Sequence, residues 1–295
     1  MKPSVLQLAE QRTVLLDGGM GTELMKHGLS QGECPELWNV KKPETIKKIH
    51  TSYFESGSDV ILTNSFGGNK IKLASSDLEK KCYELNFEAA RIANHAKPKG
   101  KFVAGSMGPT GKFLQPHGDF TEKEFENAYA EQAKALSDGK VDFLLIETQY
   151  DLKEAICALR AAREQSVLPV FVTMTFKKHP KGFYTIMGNS IHQCVEELEV
   201  NNVPAIGANC TVNSQEMVDI MFSFREATSL PLIAQANAGD PVVGKNGGIT
   251  YSQSLEDYIL FVPAIVENGA SIIGGCCGTS PEYIKRMAEI IFHGI

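Results

Sequence analysis

One rhythm constrains this chain more than any other feature. Short apolar runs recur at 13–19 (TVLLDGG), 59–66 (DVILTNSF), 102–109 (FVAGSMGP) and 141–149 (VDFLLIETQ). Four more follow at 169–176 (PVFVTMTF), 205–210 (AIGANC), 231–239 (PLIAQANAG) and 270–278 (ASIIGGCCG). The runs are near-continuous rather than alternating, as in parallel strands covered on both faces. Between them lie segments of helical period, such as PETIKKIHTSYFESG, TEKEFENAYAEQAKAL and SPEYIKRMAEIIFHG. Helix-start signals support the reading: Asp151 with Glu154 resembles a capping box, and Ser280 before Pro281 gives a cap and a first-turn proline. Eight strand–helix units in 295 residues predict an α/β chain folded as one (β/α)8 barrel domain over 1–295, near the typical length of about 250. A doubly wound sheet is the alternative, but eight regular units without a break favour closure.

A barrel carries its active groups at the carboxyl ends of its strands. The polar and unusual residues collect there: Asp17, Asn64, Ser106, Glu147, Thr175, Cys210, Asn237, Cys276 and Cys277. The amino-terminal halves of the same runs are mostly Val, Ile, Leu, Phe and Ala. A net charge of -6 and the lack of any basic stripe argue against nucleic acid or an anionic membrane as partner. The first residues have no uninterrupted apolar core of a signal peptide, and no window approaches the roughly 20 apolar residues of a membrane span. The chain reads as cytoplasmic.

Seven cysteines, an odd number at irregular spacing, argue against a disulfide framework. The adjacent pair Cys276 and Cys277 poses the sharper question. A lone cysteine is more often buried filler than a ligand. A bridge between neighbours is strained, because consecutive Cα atoms lie about 3.8 Å apart and disulfides span roughly 4.4–6.8 Å. Metal ligation faces the objection that successive strand side chains point to opposite faces. Gly274, Gly275 and Gly278 answer it by allowing φ > 0 and a sharp turn. A tetrahedral zinc with Zn–S near 2.3 Å holds its sulfurs about 3.8 Å apart. Cys210, ending AIGANC much as the pair ends its own run, is the candidate third ligand. Cys34, Cys82, Cys157 and Cys194 read as filler.

Three protein ligands and one open position form a catalytic zinc arrangement. Three thiolates make a poor Lewis acid for hydrolysis, and the chain has no H-E-x-x-H pair. Such a site suits a fourth, substrate thiol, held as a thiolate at neutral pH. The natural reaction is alkyl transfer to sulfur.

At this point the chain resembles the homocysteine S-methyltransferases. LLDGGMGTEL, the long PELWNVKKPETIKKIHTSYFESGSDVILTNSFGGNK, GSMGPTG, LLIETQYDLKEA, GANC and GGCCGT carry the likeness over essentially the whole chain. QANAGDP and GSMGPTG look most like the homocysteine-binding domain of cobalamin-dependent methionine synthase. The resemblance implies a zinc barrel with Cys210, Cys276 and Cys277 as ligands, methylating homocysteine to methionine. It also implies that Asp17 and Glu147 grip the substrate ammonium by charge-assisted hydrogen bonds. A turn or helix cap is the plainer role for Asp17. The backbone of DGGMG, with Gly18 and Gly19, and of GSMGPTG forms a nest for the carboxylate, aided by Ser106. Asn237 fills the fourth zinc position before substrate arrives, or is a turn residue of NAGDP. His117 and His179, in strand-end loops, are candidates to touch the donor.

The donor stays open: a methyl-corrinoid protein, S-methylmethionine, a betaine-like onium compound or methylfolate. No D-x-H-x-x-G cobalamin motif is present. Two alternatives stand beside this reading: a subunit of a corrinoid demethylation pathway with another thiol acceptor, and a non-catalytic zinc barrel acting as an interaction subunit.

Overall fold

The computed structural model of the chain describes residues 4–244 and 249–294; residues 1–3, 245–248 and 295 of the expected 1–295 domain lie outside them. The barrel strands are β1 (Val14–Leu15), β2 (Val60–Leu62), β3 (Phe102–Met107), β4 (Phe143–Gln149), β5 (Val170–Met174), β6 (Ile206–Asn209), β7 (Leu232–Ala236) and β8 (Ala270–Gly275). They form one parallel eight-stranded sheet in which β2 to β7 each pair with the next strand in sequence and β8 returns to β1. The remaining gap, between β1 and β2, is bridged by the Asp59 N–H bonded to Leu15 O at 2.7 Å. The Leu62 N–H adds a bond to the Asp17 carboxylate at 2.8 Å. The sheet is a TIM barrel, as the eightfold rhythm predicts.

Side-chain alternation along each strand divides the core in two. Inward-pointing Val14, Leu16, Val60, Leu62, Phe102, Ala104, Phe143, Leu145, Phe171, Ile233 and Ile272 fill the bore as one cluster. The short helix Val5–Ala9 packs its apolar side against that cluster and stoppers the amino-terminal end. The outward set, including Leu15, Ile61, Val103, Leu144, Val172 and Ile273, meets the helices in a larger cluster. Those helices are α1 (Pro43–Glu55), α2 (Cys82–Ala96), α3 (Glu122–Asp138), α4 (Leu152–Gln165), α5 (Ile191–Val200), α6 (Ser214–Ala227), α7 (Val262–Glu267) and α8 (Pro281–His293). Among the described residues no helix is long and apolar enough to cross a membrane.

The helix-start expectations divide. Asp151 caps α4 through the Lys153 N–H at 2.9 Å, but Glu154 does not reach back to close a capping box. It is fully buried and accepts the Thr110 N–H at 2.6 Å and the Tyr129 hydroxyl at 2.8 Å. The Thr110 N–H of the loop after β3 and the Tyr129 hydroxyl of α3 take that carboxylate away from the helix end. Pro281 opens α8 as expected, yet Ser280 makes no side-chain capping bond. The loops after β5 and β7 each contain a small antiparallel hairpin, Lys177–His179 with Gly182–Tyr184, and Pro241–Val243 with Ile249–Tyr251.

At the stoppered end, Asp59 accepts both Arg12 guanidinium nitrogens, at 2.7 and 2.9 Å, the Lys101 ammonium at 2.9 Å and the Leu15 N–H at 3.2 Å. Burial alone would raise its pKa, but the Arg12 and Lys101 bonds outweigh burial and hold it below the usual carboxylate range. A depressed pKa stabilises the fold above the unfolded value and loses that contribution as pH falls through the folded one. Asp59→Asn should therefore destabilise the protein by about 2–3 kcal/mol at neutral pH, because it strands two cations at the bridged edge. The melting midpoint should fall by roughly 4–8 °C, and the difference from wild type should shrink as pH drops below about 4. An unchanged midpoint at pH 7 would remove Asp59 from the closure.

Candidate metal centre

Two residues further along each strand, the bore turns from apolar to polar. Phe102 and Ala104 lead to Ser106, and Phe143 and Leu145 lead to Glu147. Ala205 and Gly207 lead to Asn209, while Ile272 and Gly274 lead to Cys276. The alternation that packs the bore thus aims these groups at the barrel axis near the mouth. There Ser106, Glu147 and Cys276 line a cavity of about 270 Å³ together with Gly18, Gly19, Cys210, Gln235, Tyr251 and Cys277, with Asn209 directly behind Glu147.

Three sulfurs converge on this cavity. The Sγ atoms of Cys210, Cys276 and Cys277 all lie within 4.8 Å of one another, and those of Cys210 and Cys277 are 3.9 Å apart. Two local conformations make this possible. After β8 the chain turns tightly at 276–279, closed by the Thr279 N–H on Cys276 O at 3.2 Å, with Gly278 at φ 84°. At the end of β6, Cys210 and Thr211 sit at φ 63° and 58°, a left-handed placement that costs non-glycine residues about 1–3 kcal/mol each. It is held by Cys210 N–H on Gln235 O at 3.0 Å, Val212 N–H on Cys210 O at 2.8 Å and the Thr211 hydroxyl on Phe176 O at 2.7 Å.

The glycines work differently from the expectation. Of the three, only Gly278 takes positive φ. Gly274 and Gly275 are required by space, since a Cβ on Gly275 would lie 2.1 Å from Thr279 Oγ1 and one on Gly274 2.7 Å from Leu16 Cβ. Gly19 serves likewise, its added Cβ falling 2.7 Å from Cys276 O. The cysteine turn nests against the loop after β1, where Gly278 N–H also bonds the Thr22 hydroxyl at 2.9 Å.

The sulfurs share charge. S–H bonds from Cys276 and Cys277 stabilise a thiolate on Cys210 and lower its pKa to about 3. The same contacts push Cys276 up, and Cys277 up to about 12. Anionic sulfur at this spacing fits a thiophilic divalent cation: 3.9 Å is close to the ~3.8 Å edge of a tetrahedron with 2.3 Å bonds. Asn237 braces the trio. Its Oδ1 accepts the Cys277 N–H at 3.1 Å.

Beside the thiols lies a buried acid. Glu147 takes a very short bond from the Ser106 hydroxyl and one of 3.2 Å from Asn209 Nδ2. Burial raises its pKa to about 7; the Ser106 bond opposes that shift and the Cys210 charge adds to it. Asn209 also accepts the Thr148 N–H at 2.7 Å and the Thr173 hydroxyl at 2.9 Å, so one amide ties β4, β5 and β6 together at the mouth.

Asp17 stands apart. It is buried, it is not among the cavity-lining residues, and one oxygen is committed to the Leu62 N–H. Its other oxygen has no partner. Burial holds its pKa well above the usual range, and the Glu147 charge raises it further. Beyond Ser106, the GSMGPTG loop does not line the cavity; Thr63, Asn64, Ser65 and Phe66 after β2 do. His117 and His179 line separate crevices. Cys82, Cys157 and Cys194 are buried, and Cys34 donates to Glu36 at 3.1 Å; burial pushes all four up to about 12. Sequence reasoning missed Asn209, Gln235 and Tyr251, although counting by twos from Ala205 and Ile233 reaches the first two.

Comparison with known proteins adds relatives to this geometry. A sequence model of the family described as homocysteine S-methyltransferase matches residues 14–291. Methionine synthase of Mycobacterium leprae is 32% identical over 304 residues, and that of Mycobacterium tuberculosis 30%. Each match takes in 97% of this chain and 25% of the relative, so the chain spans about a quarter of the length of the curated relatives it matches. Among solved structures, the metallated form of the homocysteine methyltransferase MmuM from Escherichia coli superposes with a TM-score of 0.78 at 23% identity, covering 96% of this chain and 98% of that one. The carboxyl transferase domain of Rhizobium etli pyruvate carboxylase shares the fold more distantly, with a TM-score of 0.52 at 12% identity, over 95% of this chain and 47% of that one.

Proposed function

The chain belongs to the homocysteine S-methyltransferase family, and from that premise we propose that it methylates homocysteine to methionine at a zinc site formed by Cys210, Cys276 and Cys277. The observation that carries the proposal is the convergence of three sulfurs on a cavity at the barrel mouth, beside a buried carboxyl. Zinc bound there would supply acidity to a fourth, substrate thiol, making it a thiolate at neutral pH.

The protein's own groups do the rest. Glu147, set by Ser106 and Asn209, accepts the substrate ammonium. Asp17 offers its unpartnered oxygen to the same charge from behind the cavity wall. Gly18 and Gly19 border the cavity without side chains, leaving room for the substrate backbone, and the loop at 63–66 replaces GSMGPTG as the opposite wall. Asn237 is bonded to the Cys277 N–H, and in this reading orients the cysteine turn rather than serving as a ligand. The donor approaches from the open mouth, where transfer needs its methyl in line with the sulfur. The whole chain acts as one domain. A site of free thiols needs a reducing compartment, so we assign it to the cytoplasm.

The test is an incubation of purified protein and homocysteine with methylcobalamin, S-methylmethionine, betaine and methylfolate in separate reactions. Methionine is expected from one of them, in proportion to bound zinc. Turnover of another thiol in preference to homocysteine would favour the demethylation-pathway reading, and no turnover with any donor would favour the non-catalytic one.

A further inference from the structure

Tyr251 belongs to none of the roles above, yet it touches the turn on which the cysteine pair stands. It ends the second strand of the hairpin after β7, paired with Pro241. An added Cβ on Gly278 would fall 2.4 Å from the Tyr251 Cγ and within 2.8 Å of both Cδ atoms. The ring therefore lies over the left-handed glycine of the turn, in space that no other residue at 278 would leave. Gly278 is gripped from both sides: Tyr251 covers its Cα while Thr22 takes its N–H at 2.9 Å.

Ring and turn also share one frame. Ala238 N–H bonds Cys277 O at 2.9 Å, and Gln253 N–H bonds Ala238 O at 2.9 Å. Ser252 N–H bonds Asp240 O at 3.0 Å, fixing the base of the hairpin one residue from Tyr251. The ring has a second face of consequence. It lines the thiol cavity and also a neighbouring crevice of about 400 Å³, bordered by Met25, Lys26, Ile249 and Tyr283. With Thr22 and Met25, which also border both, it forms the wall between them.

We propose that Tyr251 is a positioning residue of the metal centre, its ring clamping the 276–279 turn so that Cys276 and Cys277 present their sulfurs together, and walling those sulfurs off from the outer crevice. For its metal arm the proposal rests on the zinc reading given above. Groups that orient ligands without touching the metal typically govern affinity by 10–100-fold. The ring, not the hydroxyl, carries the contact with Gly278.

The experiment uses the full chain as wild type, Tyr251→Ala and Tyr251→Phe. Zn2+ affinity is measured by competition with a chromogenic chelator, and in metal-free protein the alkylation rates of Cys276 and Cys277 are read by mass spectrometry. Tyr251→Ala should weaken Zn2+ binding by roughly 10–100-fold and speed alkylation of the pair, with a metal-free melting midpoint near wild type. Tyr251→Phe should restore both. Should alanine prevent folding, Tyr251→Leu carries the same test, because a branched aliphatic chain cannot lie flat on the glycine. Wild-type alkylation and zinc affinity in the alanine or leucine variant would overturn the proposal, as would a phenylalanine variant as impaired as the alanine one. A wild type that binds no Zn2+ would sink the zinc reading instead, and the alkylation rates would still decide on the clamp.

Discussion

Cys276→Ala is expected to lose zinc and, with it, homocysteine methylation. Structural four-ligand sites bind zinc with apparent free energies of about 10–16 kcal/mol, so each ligand accounts for roughly a quarter of that. Removing one of three thiolates should weaken zinc binding by two to three orders of magnitude or more. The substrate thiol then returns to a pKa near 8.5, and only a few per cent of it is ionised at pH 7. Adding the lost orientation of the sulfur, kcat/KM should drop by at least about a thousandfold. The barrel should survive, because β8 is tied to β7 at this point through the Cys276 N–H on Ala236 O at 2.9 Å, a backbone bond that alanine keeps. Metal analysis, enzyme kinetics and a melting curve check the three statements. Retention of stoichiometric zinc by the alanine variant would refute the site.

Glu147→Gln is the second large effect, and its signature lies in pH. Burial puts the Glu147 pKa at about 7, well above an ordinary carboxylate. Only the ionised carboxylate pairs fully with an ammonium. Affinity for the amino-acid part of the substrate should therefore rise with pH between about 6 and 8, roughly fivefold from 6 to 7 and about tenfold over the whole interval. Methionine isolates this effect, since it carries the ammonium but no titrating thiol. Calorimetry should show its binding tightening from pH 6 to 8 in wild type and flat in Glu147→Gln. At pH 8 the variant should bind roughly 30- to 1000-fold more weakly, the usual cost of truncating one partner of a buried charge pair. Glutamine also reverses one hydrogen bond, because the Ser106 hydroxyl and the Asn209 amide both donate to this side chain and an amide offers them only one acceptor. A wild type with no pH dependence, or a variant that keeps it, would remove Glu147 from ammonium recognition.

These sites differ in how far the sequence announces them. The barrel was legible because parallel strands buried on both faces print as apolar runs, and Phe143 and Leu145 on one face with Leu144 and Ile146 on the other leave no polar gap. Glu147 was legible because an acid ending such a run is conspicuous. Asn209 and Gln235 were equally placed by alternation but look like ordinary amides, and nothing local signals that one will bond Glu147 and the other line the cavity. The left-handed Cys210 and Thr211 were not legible at all. No glycine marks the position, and the conformation is held by Gln235 of β7 and Phe176 of the segment after β5. Gly274 and Gly275 were read as conformational devices when their role is clearance, because space between strand and loop is a tertiary quantity. Tyr251 was hidden for a similar reason: it lies 27 positions before the glycine it covers, inside a loop whose hairpin no alternation foretold.

The stopper at the amino-terminal end has a consequence for turnover. With Val5–Ala9 packed on the apolar layers of the bore, the thiol cavity is, among the described residues, a blind alley that opens at the mouth. Two reactants that meet at the sulfur must then use the same doorway in sequence. On the proposed function, the amino acid would be seated before the donor follows it, and methionine would wait behind the spent donor until that molecule departs. The barrel's closed floor would thereby set an order of arrival and departure that no residue at the reacting centre needs to enforce.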